Sequence, residues 1–322
     1  MYESIATGQK LYTFIVPTPF SVGPVNVYLL KGESLTLIDV GPKTLEAKEY
    51  LNFELKQLGY SLHDIEQVVL THHHPDHCGL LDEFEGARIV GHRNNAPWIS
   101  KDVAFFKRMV EFFIQFFTNH GVKGELIEKV KKELQFLMRF SCERKLTKEL
   151  NDGDEIEGLP GWKVVETLGH AQSHISLYYP NKAWMIAGDH LIQHVSSNAI
   201  IEAPYDDKTQ RPKTLLQYRE SLREIKKLHL QKVFSGHGEV IHHANELIDL
   251  RLKGHKERAS IILEMIGRKK MTAFEICKVL FPKVYTKQVD LTLSQTIGHL
   301  DLLEDMNKVN IEVSEGIIYY SK

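Results

Sequence analysis

Four apolar runs in this chain end alike, with a histidine or an aspartate where a predicted strand meets a loop. They end in THHHPDH (71–77), LGH (168–170), AGD (187–189) and SGH (235–237). In α/β proteins, binding sites form where strand ends meet at one edge of a sheet. The pattern therefore predicts an α/β fold in which strand ends from distant parts of the chain assemble one site.

The stretches between these ends alternate between strand-like and helix-like patterns. Short β-rich runs bounded by Gly and Pro indicate strands, and apolar spacings of three and four indicate helices. The predicted strands are 12–20, 25–32, 34–41, 65–74, 87–92, 162–170, 174–180, 183–190 and 232–241, and the predicted helices of this part are 44–59 and 213–228.

Residues 95–150 interrupt this alternation with a helical, aromatic-rich insertion. Its phenylalanines occur as adjacent pairs, which cannot all lie on one face of a helix. The pairs are Phe105 and Phe106, Phe112 and Phe113, and Phe116 and Phe117. The sequence leaves three roles open for this segment: core packing, a substrate-facing cap, or a contact with a second subunit in a homodimer.

From about residue 244 the pattern becomes mainly helical and ends in a hairpin. Helices are predicted at 246–267, 271–282 and 292–309, followed by a hairpin at 310–322 that turns at Glu315 and Gly316. Helices followed by a terminal hairpin predict a small winged-helix-like unit. We therefore divide the chain into a catalytic domain at 1–244 and a C-terminal winged-helix-like unit at 245–322.

Composition narrows the expected compartment and partners. The 322 residues carry a net charge of about −2, so no global field favours nucleic acid or an anionic membrane. We expect no signal peptide and no membrane span, because no basic N-terminal region precedes an apolar stretch and no apolar run is long enough. The three cysteines are far apart in the chain, which favours a reducing compartment. The expected location is the cytoplasm.

The HHHPDH segment is the densest group of metal-binding side chains. In extended backbone His72 and His74 project to the same side, whereas His73 points away. Asp76 and His77 follow a turn at the proline. The full set of metal candidates is His72, His74, Asp76, His77, His170, Asp189 and His237. Seven exceeds the three or four ligands of one zinc ion and suits two ions that share a bridging carboxylate.

The order and spacing of these residues resemble the signature of the metallo-β-lactamase superfamily over residues 11–243. The resemblance implies a four-layer αβ/βα sandwich, in which two mixed sheets pack face to face with helices outside. It implies two divalent ions, above all zinc, with manganese or iron as alternatives. The implied ligands are His72, His74 and His170 for the first ion, Asp76, His77 and His237 for the second, and Asp189 for both.

The sequence departs from other branches of the superfamily at three positions. Secreted β-lactamases usually carry cysteine where Asp189 stands, and the flavodiiron branch carries glutamate where His74 stands. The motif usually continues with Gly-Gly, whereas this chain has Cys78 and Gly79. We interpret Cys78 as a small buried residue rather than as a ligand or nucleophile. The C-terminal part resembles a branch that includes glyoxalase II-like and endoribonuclease-like proteins.

A dinuclear site of this kind implies a hydrolase of a small molecule. Two ions that share a water lower its pKa, and the bridging hydroxide attacks an electrophilic carbonyl or phosphorus. Asp76 is the expected catalytic residue, because it would lie beside the nucleophile and take its proton. The leading hypothesis is hydrolysis of a small ester, thioester or lactone, since an aromatic cap suits an apolar substrate.

Three alternatives stay open. A phosphodiesterase or ribonuclease would use the same site, although residues 255–322 hold ten basic and nine acidic side chains, a net charge of +1 that is weak for a nucleic acid partner. A mononuclear iron dioxygenase would use only the first metal site, which the presence of His77 and His237 disfavours. A scaffold protein that binds no metal would not need seven residues that are able to act as metal ligands.

Other polar residues are secondary candidates. Asp39 ends a predicted strand and is either an acceptor that orients a metal-bound histidine or a turn residue. Tyr205 is a candidate donor to a substrate carbonyl. The histidines for which we favour a structural or surface role are His174, His190, His194, His242 and His243.

Overall fold

The computed structural model describes residues 2–6, 8–205, 210–267 and 269–322, which form two large mixed sheets flanked by helices. The first sheet has its strands in chain order: β1 Tyr2–Ala6, β2 Gln9–Val16, β3 Val25–Lys31, β4 Leu35–Ile38, β5 Gln67–Leu70, β6 Arg88–Gly91 and β7 Lys148–Glu149. The second contains β8 Lys163–Glu166, β9 Ile175–Tyr179, β10 Trp184–Gly188 and β11 Lys232–Ser235, in the order β11-β10-β9-β8. A small third sheet, in the order β12-β14-β13, contains β12 Met271–Thr272, β13 Asn310–Ser314 and β14 Ile317–Ser321.

The helices lie outside the two large sheets and at the C-terminal end of the chain. They are α1 Leu45–Gln57, α2 Pro75–Cys78, α3 Ala96–Ile99, α4 Val103–Asn119, α5 Gly124–Leu137, α6 Thr214–Lys226, α7 Ala244–Ile266, α8 Ala273–Leu280 and α9 Val289–Asp305. Within the described ranges, no helix combines the length and apolarity that crossing a bilayer requires.

The two large sheets pack against each other between layers of helix. Val27 and Leu29 of β3 lie in the core that the first sheet shares with α1. Tyr28 and Leu30 of the same strand lie in the core between the sheets. Met185 of β10 faces the other way and packs in the core that contains α6. The layers are helix, sheet, sheet and helix, which confirms the predicted αβ/βα sandwich, and covering both faces explains why such strands are apolar throughout.

Several strands are shorter than predicted for local reasons. Strand β2 ends at Val16, because Pro17 and Pro19 have no N–H to donate to a ladder. Strand β5 stops at Leu70, and the residues after it form a loop instead of extending the strand. Strand β1 was not predicted, since the polar and apolar residues of YESIA do not alternate regularly.

The helical insertion contributes both to the core and to the wall of a cavity. Helix α4 ends before Gly121, whose φ of +86° is a conformation that glycine adopts without strain. Phe116 is buried in a core that includes the C-terminal helices, whereas Phe113 and Phe117 also line a cavity described below. A role of this segment as a closing cap or a dimer contact stays a prediction.

The C-terminal part packs closely on the rest of the chain. Apolar side chains of α7, α8 and α9 share one hydrophobic core with α4, α6 and β10. Helix α9 is buried along most of its length and contacts α5, α6, α7 and α8. The domain boundary at residue 244 stays a prediction, since this core continues across it.

A buried ion pair also fastens α9 to the segment before α6. The guanidinium of Arg211 donates two hydrogen bonds, of 2.8 and 2.6 Å, to the carboxylate of Asp301. We expect Asp301→Asn to lower the free energy of unfolding by roughly 3–5 kcal/mol, because it leaves a largely buried guanidinium without a counter-charge. Urea denaturation of the two proteins measures this difference.

The neighbouring exposed ion pair supplies the control. Lys213 and Glu304 lie 2.9 Å apart, and their side chains are 43% and 39% exposed. Glu304→Gln should therefore cost only about 0–1 kcal/mol. Equal losses in the two variants would contradict the idea that burial makes the Arg211 pair important.

Candidate metal centre

The four strand ends identified in the sequence converge in the structure. Strands β5, β10 and β11 each run into the site, and the loop between β8 and β9 carries the remaining histidine. The seven predicted metal residues form three overlapping groups, in each of which the ligand atoms lie within 4.8 Å of one another: His72, His74 and His170; His72, His77 and Asp189; and Asp76, His77 and His237.

The first group is built from three imidazoles. His72 Nε2 lies 2.9 Å from His74 Nδ1, and His170 Nε2 lies 3.1 Å from the same atom. His74 thus faces the group with Nδ1, whereas its two neighbours face it with Nε2. The alternation along the extended backbone has the predicted effect, because His73 turns to the other side and stacks on Trp98 with ring centroids 4.0 Å apart.

Asp189 lies between the two ends of the cluster. Its Oδ1 is 3.3 Å from His77 Nε2, and its Oδ2 is 3.5 Å from His237 Nε2 and 3.7 Å from His170 Nε2. Asp76 closes the second group, with its Oδ2 3.4 Å from His237 Nε2. The aspartate that sequence analysis made the bridge therefore contacts histidines of both groups.

The ring nitrogens that point away from the cluster are held by hydrogen bonds. The pairs are His72 Nδ1 with Thr71 Oγ1 at 3.0 Å, His77 Nδ1 with Asp39 Oδ2 at 2.8 Å, His170 Nδ1 with the Asn198 carbonyl at 2.8 Å, and His237 Nδ1 with the Pro24 carbonyl at 2.8 Å. Where a carbonyl or carboxylate accepts, Nδ1 carries the hydrogen and Nε2 presents its lone pair to the cluster. Such partners orient metal-binding histidines.

Asp39 holds several of these elements at once. One oxygen accepts the Thr71 N–H at 2.8 Å, and the other accepts the Thr71 hydroxyl at 2.7 Å and bonds to His77. Asp39 is 2% exposed and has a φ of +60°, which is uncommon for a residue other than glycine. This geometry fits the orienting role better than that of a simple turn residue.

Two glycines allow the strand ends to approach. A Cβ on Gly236 would lie 2.3 Å from Asp189 Oδ1. A Cβ on Gly188 would lie 2.8 Å from the Thr71 side chain. The Gly-Asp and Gly-His pairs noted in the sequence thus have a steric reason, because any larger residue would push the carboxylate out of the cluster.

Three ligand atoms of the cluster lack ordinary partners. Among the described residues, His77 Nε2, His237 Nε2 and Asp189 Oδ1 are buried and have no hydrogen-bond partner. Buried polar atoms in native proteins are normally satisfied. Their convergence with four further nitrogen and oxygen ligands therefore fits one or more bound cations, for which this donor set is appropriate.

The pKa shifts within the cluster also fit a bound cation. Burial would raise the pKa of Asp189, but His237 and His77 hold it well below its usual range. Burial opposes protonation of His237, yet the carboxylates of Asp189 and Asp76 raise its pKa to about 10. The pKa of His77 rises for the same reason. The carboxylates therefore need positive charge beside them. In the protein without metal, the protonated imidazoles of His77 and His237 supply that charge.

The three histidines of the first group favour the neutral form. Burial and the neighbouring imidazoles lower the pKa values of His72 and His74 well below the usual range. Burial also lowers the pKa of His170. Neutral imidazole is the form that binds a metal ion.

The secondary candidates lie outside the three groups. His174 is buried and accepts the Asp189 N–H at 3.1 Å, so it supports the strand end. Cys78 is fully buried and contacts the His73 carbonyl. His190 is buried beside Tyr218, whereas His194, His242 and His243 are exposed. These positions agree with structural or surface roles.

An apolar pocket of about 260 Å³ opens beside the cluster. His74, Asp76 and His73 form one end of its wall, and aromatic and aliphatic side chains of α3, α4, α5 and α9 form the rest. Among the residues that the structure describes, the lining contains Glu202 and Asp290 but no lysine or arginine. The pocket therefore suits an uncharged group whose reacting atom lies at the metal-binding end.

Glu202 is the pocket residue that sequence analysis missed. It accepts the Gln172 N–H at 2.7 Å and the Tyr205 hydroxyl at 2.5 Å, and that hydroxyl accepts from Trp98 Nε1. Burial raises the pKa of Glu202 to about 7, although Tyr205 and Gln172 stabilise the carboxylate. Tyr205, a candidate donor to a substrate carbonyl, donates its hydroxyl to this carboxylate.

Comparisons with known proteins agree with this architecture. The sequence model of the metallo-beta-lactamase superfamily matches residues 21–237. The chain is 43% identical to the probable metallo-hydrolase YqjP of Bacillus subtilis over 315 residues, which cover 98% of each protein.

Two solved structures share the fold over nearly the whole chain. A metallo-beta-lactamase family protein from Thermus thermophilus matches with a TM-score of 0.80 and 27% identity, covering 99% of this chain and 100% of that one. A beta-lactamase domain protein from Burkholderia ambifaria matches with a TM-score of 0.76 and 21% identity, covering 100% and 94%. The chain therefore belongs to the metallo-beta-lactamase superfamily, as a metallo-hydrolase with histidine and aspartate groups that could bind metal.

Proposed function

We propose that this protein hydrolyses a small, uncharged ester, thioester or lactone at a centre of two divalent metal ions. The observation that carries the proposal is that the seven-residue cluster opens into an apolar pocket, in whose lining the described residues include no lysine or arginine. The three buried ligand atoms without hydrogen-bond partners support metal binding.

The proposed ligand sets are those that the family resemblance implies, and they correspond to two of the three groups of side chains. His72, His74 and His170 would hold one ion, and Asp76, His77 and His237 the other. Asp189 would bind both, because its two oxygens contact histidines of each set. Zinc suits this mixture of imidazole and carboxylate, with manganese or iron as competitors.

Bound ions would lower the pKa of a water and polarise the substrate carbonyl. Asp76 lines the pocket and lies beside His237, so its carboxylate would hold the attacking water and accept its proton. Asp39 would keep the imidazole of His77 oriented during turnover. The aromatic wall would exclude bulk water from the reacting carbonyl.

The pocket supports a carbonyl substrate over a nucleic acid. Metal ions would serve the scissile phosphate of a phosphodiester, but the neighbouring phosphates of a nucleic acid would need further cations, and the described residues of the lining include no lysine or arginine. The C-terminal helix α9 is buried against the rest of the chain, and its Asp290, Leu291 and Ser294 line the pocket. That helix is therefore not free to enter a nucleic acid groove.

One prediction of the proposed function concerns metal content. Protein purified without chelator should contain two transition-metal ions per chain, because seven ligands exceed the needs of one. Elemental analysis by plasma mass spectrometry measures the ratio. One tightly bound iron per chain, together with dioxygen uptake, would support the dioxygenase alternative and contradict the hydrolase.

A second prediction concerns the bridging carboxylate. Asp189→Asn keeps the size of the side chain but removes the charge that both ions would share. Changes to residues behind metal ligands cost roughly 10–100-fold in affinity or activity, so loss of this bridge should lower the hydrolytic rate by more than about 100-fold and release at least one ion. Metal content and turnover are measured together.

His73→Asn is the matched control for that variant. His73 belongs to the same segment but stacks on Trp98 and bonds to Ser173 Oγ at 2.8 Å. The His73→Asn variant should retain both ions and differ mainly in KM, since His73 lines the pocket. Equal loss of metal in the two variants would show that the ligand assignment is wrong.

A third prediction concerns the acyl group. A neutral butanoyl thioester should have a kcat/KM at least roughly tenfold higher than the succinyl thioester, because the pocket buries the added carboxylate beside Glu202 without a counter-cation. Thiol release measures both rates. A preference for the succinyl substrate would contradict the assignment of this pocket to the acyl group.

A further inference from the structure

A second cleft, of about 600 Å³, lies between α7, α9 and the loop that follows β10. Its wall is formed by side chains from 195–198, from 250–258 and from 281–299. None of the seven metal-centre residues lines it. Its size lies within the range of small-molecule sites in proteins, yet the proposed hydrolytic reaction makes no use of it.

The cleft carries unneutralised positive charge. Arg258 lies over the Phe281 ring at 5.7 Å and forms no ion pair with the carboxylates of the described residues. Arg251 donates to the carbonyls of Ile192 and Gln193, at 3.0 and 2.8 Å, and so keeps its charge at the wall. Glu257, the carboxylate in the lining, is paired with Lys253.

Two buried histidines in the same wall have ring nitrogens without hydrogen-bond partners in the part of the chain that the structure describes. His299 is 1% exposed and His255 is 7% exposed, and their rings lie 5.9 Å apart. His299 Nδ1 donates to the Gln295 carbonyl at 2.6 Å, which leaves Nε2 as a buried atom without a hydrogen bond. His255 Nδ1 is likewise buried and unpaired.

These histidines are neutral at ordinary pH. Burial lowers the pKa of His299 to about 4, and nearby Arg258 adds to the shift. Burial and the neighbouring cationic groups lower the pKa of His255 to about 3. Because Nδ1 of His299 carries the hydrogen, its Nε2 is an acceptor that requires an N–H or O–H donor.

We propose that this cleft is a second binding site, for a small phosphate ester that also carries N–H or O–H donors. The phosphate would bind Arg258 at the open side, and a donor of the ligand would satisfy His299 Nε2 inside. A cationic rim alone would attract any anion, but a buried acceptor selects a ligand with a hydrogen-bond donor.

Isothermal titration calorimetry of the full-length, metal-loaded protein tests the site. The probes are adenosine monophosphate, which has both features, inorganic phosphate, which lacks the organic part, and adenosine, which lacks the phosphate. We expect one adenosine monophosphate per chain and at least about tenfold weaker binding of each fragment.

Variants localise the binding. Arg258→Gln should weaken adenosine monophosphate binding at least about tenfold, and its exposed position keeps the fold intact. His299→Phe keeps an aromatic ring but removes the acceptor, and it should also weaken binding. Arg223→Gln is the matched control, since Arg223 is an exposed arginine of α6 that pairs with Glu220 away from the cleft.

Four results would overturn the proposal. Adenosine monophosphate could fail to bind at millimolar concentration, or it could bind equally to the protein and to the Arg258→Gln variant. Alternatively, it could inhibit thioester hydrolysis competitively, which would assign it to the metal centre. Phosphate that binds as tightly as the nucleotide would likewise contradict the role of His299.

Discussion

The carboxylate of Asp39 joins the fold to the metal centre. It accepts from the backbone and hydroxyl of Thr71 and bonds to His77, so it fixes the end of β5 and the direction of an imidazole together. Thr71 in turn contacts His72 Nδ1. The helix that begins at Pro75 can present Asp76 and His77 only because this anchor sets where the strand stops. At this position Asp39 adopts a left-handed backbone conformation, which is strained for a residue other than glycine.

The seven candidate metal residues could be named from the sequence because each stands at or just after the end of an apolar run, and their order resembles the superfamily signature. Alternation along an extended chain separates His73 from His72 and His74, and glycines mark the strand ends that approach closely. The α/β fold followed from the strand and helix patterns, whereas the four-layer arrangement was implied by the resemblance to the superfamily. These features depend on neighbours in sequence, which a sequence displays directly.

The pocket could not be predicted in the same way. Glu202 lies in the loop segment IIEAPY, which has no periodicity, and it becomes a wall residue only because Gln172 and Tyr205 meet it from elsewhere in the chain. Asn198 reaches His170 through its backbone carbonyl, a contact that does not depend on its side chain. The burial of α9 is also not visible in its sequence, because the helix buries polar residues such as Thr292, Ser294 and Thr296 together with its apolar ones.

The position of helix α9 limits how the C-terminal segment can be exchanged between related proteins. One face carries Asp290 and Ser294 into the apolar pocket, another carries His299 into the second cleft, and Leu291 borders both. Gln295 donates to the Asn198 side chain, whose backbone holds His170. Exchange of the C-terminal segment with that of a relative would thus replace part of the substrate wall and a support of the metal centre. The segment is not a transferable module, and the two parts must change together in evolution or in chimeras.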